Sequence, residues 1–311
     1  MYPGNAIKTI KTKPAGRGTG HRLIAWNGIL LHIPHAWDAR VSGQRHLIFE
    51  KDFQPQLQIR WEKSNHRTPR DLQKKLSQFS GQLGTAIQQD RFPEKLQRLK
   101  DIFGLVTCYQ EESGMITGGL CLCADCHTLV LFQLLSADPA LLEEVCDCLA
   151  TLSCHTPSEG PSEILWRIQD FSITVPASFV LQNYTFGAGL TRLSFYSADL
   201  LLQTCTLGPA DSRLSQQSLR EILVTLTDSP NLEIAAGEDD NSCEGYRSPT
   251  IPKQVLFRLH REKPFISSKI WHDTVSNRIL AVILSSNRPI PLTTTHKICR
   301  QYEIVQKKNN L

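Results

Sequence analysis

The chain has 311 residues and a formal net charge of +4, with 41% hydrophobic and 21% charged residues. That balance excludes a disordered polymer, and so small a charge does not by itself mark a nucleic-acid binder. The longest apolar stretch, 128–137, falls well short of the roughly 20 residues a membrane-spanning helix needs, so no membrane contact is expected.

The chain opens on a basic leader, 1–22, with Lys8, Lys11, Lys13, Arg17 and Arg22 and no acid. It has two readings: a flexible solubilising tail, or a contact to nucleic acid or an acidic surface. No apolar core follows the bases, so no secretory signal is read and a cytoplasmic location is expected.

From residue 23 the chain reads as one recipe written twice, with units at 23–155 and 164–305. In 27–37, Ile29, Leu31 and Ile33 alternate before Pro34, and Trp37 follows. In 169–179, Phe171, Ile173 and Val175 alternate before Pro176, and Phe179 follows. Alternation at period two predicts a strand with one buried face, and proline stops it. Segment 46–50 then matches 192–196, and 56–61 matches 200–205. A helix follows in each unit. The first opens at Thr68-Pro69 and carries Leu72, Leu76 and Phe79 on one face; the second starts at Ser215 and carries Leu219, Leu223 and Leu226. Three more strands are predicted in each, at 103–110, 116–123 and 127–135, and at 254–260, 265–272 and 277–285. A last helix closes each unit, with Leu141, Val145, Leu149 and Leu152 as the stripe of the first and 291–304 as the second. A Pro/Gly/Ser linker at 156–163 separates the units, and 306–311 form a short tail. The expected fold class is therefore α+β: two tandem repeats, each an antiparallel β-sheet with helices packed on it, in the order β-β-β-α-β-β-β-α.

This order, with its opening strand–Pro–x–x–aromatic signature at Pro34/Trp37 and Pro176/Phe179, resembles the PsbP-like (PsbP/Mog) superfamily over nearly the whole chain. The resemblance implies a protein that docks on other proteins and brings no catalytic residue set with it.

Chemistry concentrates at 121–127, Cys-Leu-Cys-Ala-Asp-Cys-His. Seven of the ten cysteines lie between Cys108 and Cys154. Cys123-x-x-Cys126-His127 has the c-type haem attachment pattern, but that use needs export and an axial-ligand environment that nothing in the sequence signals. Zinc fits better, since a C-x-x-C hairpin presents two thiolates to a tetrahedral ion. The metal candidates are Cys123, Cys126, His127 and Cys121, with Cys108, Cys146, Cys148, Cys154 and His155 in reserve. Redox activity at Cys123/Cys126 would need a lowered thiol pKa, which Asp125 opposes. The plainest reading is packing, because 120–131 faces 270–281 without gaps and the second copy makes the same turn without sulfur. Cys146 and Cys148, at i and i+2, are not expected both to face the interior.

Charge in the first unit is segregated. Residues 60–100 hold ten Lys/Arg against four Asp/Glu, whereas 101–155 hold eight acids and no Lys or Arg. The simplest account is two solvated faces that complement one another. The function expected is that of a non-enzymatic adaptor for another protein, with Trp26 and Trp61 as candidate partner anchors. The alternative is a zinc-shaped recognition module. Trp37, by its place in the repeat, is assigned to the core.

Overall fold

The computed structural model describes residues 20–64, 87–89, 94–103, 105–110, 116–136, 138–154, 163–237, 239, 241–260 and 262–305. Strands β1 (His21–Trp26) and β2 (Ile29–Pro34) form a hairpin. Its turn is Asn27-Gly28, both at positive φ, 47° and 86°, as a two-residue Asn-Gly hairpin loop requires. A meander of β3 (Trp37–Gly43), β4 (His46–Lys51) and β5 (Gln54–Lys63) follows. Next come β6 (Ile87–Gln89), α1 (Gln97–Ile102), β7 (Leu105–Gln110), β8 (Ile116–Leu122), β9 (Thr128–Leu134) and α2 (Pro139–Leu149).

The second half opens on another hairpin, β10 (Glu163–Ile168) and β11 (Phe171–Pro176), and another meander, β12 (Val180–Gly187), β13 (Leu190–Ser197) and β14 (Leu200–Leu207). Then come α3 (Ala210–Leu214), α4 (Leu219–Thr227), β15 (Glu233–Ala236), β16 (Ser242–Arg247), α5 (Ile251–Leu259), β17 (Phe265–Asp273), β18 (Arg278–Ser286), α6 (Leu292–Arg300) and β19 (Tyr302–Ile304).

These strands make three antiparallel sheets. One runs β3-β4-β5-β9-β8-β7-β6, the second β12-β13-β14-β18-β17-β16-β15, and the third, five-stranded, β19-β11-β10-β1-β2. The third sheet draws on both halves. Its seam is the β1·β10 pair, with Ala25 opposite Arg167.

The expected α+β class, with two tandem β-β-β-α-β-β-β-α repeats each closed on its own interior, is overturned. The described residues hold nineteen strands against six α-helices, and the fold is β-rich. The hairpins β1–β2 and β10–β11 do not stay in separate units. Both faces of β1 are covered toward its end, where Ile24, Ala25 and Trp26 are all buried. A strand apolar on both faces belongs inside a structure, and pairing with β10 puts it there. One continuous core accordingly contains Trp26, Leu31, Phe49 and Leu149 from the first half and Trp166, Phe195, Leu202 and Val282 from the second. A smaller core lies under α4, around Leu223, Ile270 and Ile283.

Two local expectations also change. The strand expected at 254–260 is helix α5. Apolar residues there recur at 251, 255 and 259, a period of four, and Pro252 suits a first helical turn. The strand of that position is β16, which starts earlier, at Ser242. Cys146 and Cys148 are both buried, because α2 packs against β2 and β5 and also against the helical turn at Glu94–Leu96. A helix with neighbours on several sides has no single inner face. The helix expected from Thr68 to Phe79 lies outside the described residues, as do Lys8, Lys11, Lys13 and Arg17. Arg22 is no tail residue: it sits in β1 and donates to the Trp37 carbonyl at 2.8 Å.

The second-half helix expected from Ser215 begins at α4, where Ser218 Oγ accepts from the Glu221 backbone N–H at 3.3 Å and the Glu221 carboxylate accepts from the Ser218 N–H at 2.8 Å. This is a capping box. Ser218→Ala should therefore cost about 1 kcal/mol, read as a lower urea midpoint at unchanged slope. No change in the midpoint would mean the cap is idle.

Candidate functional site

The sulfur-rich segment is the connection between β8 and β9. Cys121 and Cys123 are two residues apart at the end of an extended strand, so both turn to the same, buried side. The chain then reverses. The Cys123 N–H donates to the Thr128 carbonyl at 2.9 Å, and the His127 N–H donates to the Cys123 carbonyl at 3.1 Å. His127 takes φ 53°, which ends the turn. The turn is tied to the end of β5 by a bond from the Ser64 N–H to the His127 carbonyl, 2.8 Å.

Cys154 arrives from elsewhere. After α2 the chain runs beside β2, where Leu30 and Ser153 exchange two backbone hydrogen bonds of 2.9 Å. That bridge delivers the Cys154 thiol to the hairpin, with its Sγ 3.4 Å from Cys126 Sγ. The sulfurs of Cys123, Cys126 and Cys154 all lie within 4.8 Å of one another.

The three thiols do not share one environment. Cys123 and Cys154 are buried, whereas Cys126 is half-exposed. Burial opposes ionisation of Cys126, but hydrogen bonds to Thr128 Oγ1 (3.0 Å) and to Cys154 outweigh it and bring its thiol down to about 6. Burial, reinforced by the bond to Cys126, pushes the Cys154 thiol far up. The pair therefore gives up its first proton easily, from Cys126, and its second with difficulty. Lys63 sits alongside, its ammonium 3.0 Å from both the Cys126 carbonyl and Thr128 Oγ1.

Beside the cluster opens a cavity of about 440 Å³. Cys126, Cys154, Trp61 and Leu30 line it from the first half, and Ile164, Leu165 and Thr174 line it from β10 and β11. Leu30, Ile164 and Leu165 are each only partly buried, so the lining is apolar and reachable.

The candidates read from sequence are thus partly regrouped. Cys123 and Cys126 come together as expected and are joined by Cys154. Cys121 and His127 do not join them: Cys121 is buried outside the three-sulfur group, and the His127 residue is exposed on the turn. Of Cys108 only the backbone, in β7, is described, and His155 lies outside the described residues. Trp26 presents nothing to a partner. Its ring is fully buried, packed edge-on against Trp166 at 5.1 Å and Tyr184 at 5.5 Å, with its indole N–H toward the Gly43 carbonyl at 3.4 Å. Its polar handle and its aromatic faces are both satisfied within the chain. Trp61 is also buried, but it forms part of the cavity wall and donates to the Asn27 carbonyl at 3.2 Å. The contribution of β10 and β11 to this wall was not legible, because it depends on the seam between halves.

No family model matches the chain, and no curated protein matches it. Among solved structures, one match is the immunity protein TplEi of the type VI secretion system from Pseudomonas aeruginosa, complexed with "L" peptide. It is 11% identical, with 86% of this chain and 98% of that chain covered and a TM-score of 0.34. A likeness at that level carries no argument about this chain. Among the described residues, no helix is long and apolar enough to cross a membrane.

Proposed function

We propose that the chain is a non-enzymatic binding protein and that the cavity between the five-stranded sheet and the first large sheet receives part of another protein. The observation that supports this reading is the cavity's wall. Leu30, Ile164 and Leu165 remain partly open to solvent in a chain whose other apolar residues on these strands are covered. Apolar side chains grouped in a recess, with a few polar groups at hand, are the usual form of a binding site. Arg45, Lys63, Glu62 and Glu163 supply those groups here.

The test is co-purification from the native cells with wild-type protein and with Leu165→Glu, which places a charge in the recess. A stoichiometric partner should accompany the wild type and be lost from the variant, while the melting temperature of the variant stays within a few degrees. Retention of the partner by Leu165→Glu, or the absence of any partner from the wild type, would refute the proposal.

A further inference from the structure

We infer that Cys123, Cys126 and Cys154 together bind one zinc ion, leaving its fourth coordination position open to the cavity.

The sulfur positions are close to what such an ion needs. Four sulfurs at about 2.3 Å from a tetrahedral zinc stand roughly 3.8 Å from one another. Here every sulfur lies within 4.8 Å of the other two and one pair is at 3.4 Å, so adjustments of under an ångström or so complete the site. None of the three is in a disulfide.

Packing alone does not explain the convergence. A buried cysteine serves as a small apolar side chain, and any one of the three is explained that way. Three sulfurs brought to one point from two separate segments are another matter. The sister hairpin between β17 and β18 turns with Asp273 and Ser276 where Cys123 and Cys126 stand, and Ser276 Oγ donates to the Asp273 carboxylate at 2.5 Å. The turn thus closes equally well without sulfur. What sulfur adds is ligation.

The ligands are also held in advance. Cys123 and Cys126 belong to a turn fixed by the Cys123–Thr128 and His127–Cys123 backbone bonds and anchored at Ser64, while the Leu30·Ser153 bridge fixes the approach of Cys154. Sites built on regular backbone in this way need little rearrangement to bind. The charge is favourable too. Zinc with three thiolates carries a net −1, and the Lys63 ammonium lies beside the cluster to offset it.

The fourth position follows from the lining. Cys126 and Cys154 form part of the cavity wall, while Cys123 is buried behind them. Zinc with four protein ligands is closed and structural, whereas zinc with three keeps an exchangeable position. Water, or a donor atom from an occupant of the cavity, takes that position here. Zinc binding itself does not depend on there being such an occupant.

The experiment uses full-length protein purified in a phosphine reductant without chelators. Elemental analysis should find about one zinc per chain in the wild type and in Cys121→Ser. In Cys126→Ser and Cys154→Ser, zinc should fall below about 0.2 per chain. Because a serine variant can fail to fold, the wild type is also stripped and titrated with cobalt(II). The thiolate-to-cobalt charge-transfer bands should saturate at one equivalent, and bound zinc should block alkylation of Cys126 by iodoacetamide. Wild-type protein without zinc and without cobalt bands at one equivalent would overturn the inference. So would a folded Cys154→Ser variant that keeps the wild-type spectrum, or a Cys121→Ser variant that loses it.

Discussion

Trp26→Ala should lower the stability of the entire chain by about 3–5 kcal/mol, the usual cost of deleting a fully buried tryptophan. The corresponding fall in melting temperature is on the order of 10 °C for a chain of this size. The reason lies in what the ring touches. Trp26 belongs to the first half by sequence, yet its aromatic neighbours are Trp166, Tyr184 and Phe186, all in the second. Trp166 in turn packs against Phe195 at 5.0 Å. Removing one ring therefore opens a void lined by β10 and β12. Calorimetry should show one transition moving as a whole, because both halves share the damaged core. Two transitions of which only one moves, or a loss below about 1 kcal/mol, would mean that Trp26 does not couple the halves.

How far the sequence foretold this arrangement varies with range. Local features were legible. The strands expected at 116–123, 127–135, 265–272 and 277–285 form within a residue or two of those limits. The alignment of the halves sets Asn27 against Gln169, Asp52 against Ala198 and His127 against Asn277, and all six have positive φ near 50°. The resemblance extends to hydrogen bonds, since the His127 and Asn277 carbonyls accept from Ser64 and Ala210, just past β5 and α3's start respectively. The two large sheets share the same strand order. Turn chemistry and alternation act over a few residues, and a sequence states them directly.

The join between the halves was not legible. A linker of Pro, Gly and Ser at 156–163 reads as a divider, and nothing local says that β1 will pair with β10 across it. One clue was present: Ile24, Ala25 and Trp26 are three consecutive apolar residues that a one-faced strand does not need. The same long-range gap explains the site. Cys123 and Cys126 declare themselves by spacing, but Cys154 lies 28 residues beyond Cys126 and is brought in through the long-range Leu30·Ser153 bridge.

Separating the halves is the sharper test of the shared interior. Residues 163–305 produced alone should fail to fold cooperatively, and so should 20–155, whereas mixing the two should restore a compact complex. Alone, the second half exposes the β10 edge that pairs with β1 at Ala25·Arg167, an unpaired strand edge being a template for aggregation. It also uncovers the Trp166 face that Trp26 covers. Burial of one aromatic side chain of about 150–250 Å² contributes roughly 4–6 kcal/mol at ~25 cal/mol per Å². Typical domains have only about 5–15 kcal/mol in total, so losing Trp26, Ile24 and the strand pairing together removes most of what such a half has. Circular dichroism melts and size-exclusion profiles of each fragment, then of the mixture, give the result. A 163–305 fragment that stays monomeric and unfolds at the full-length midpoint would show that the seam is a contact between two self-sufficient domains.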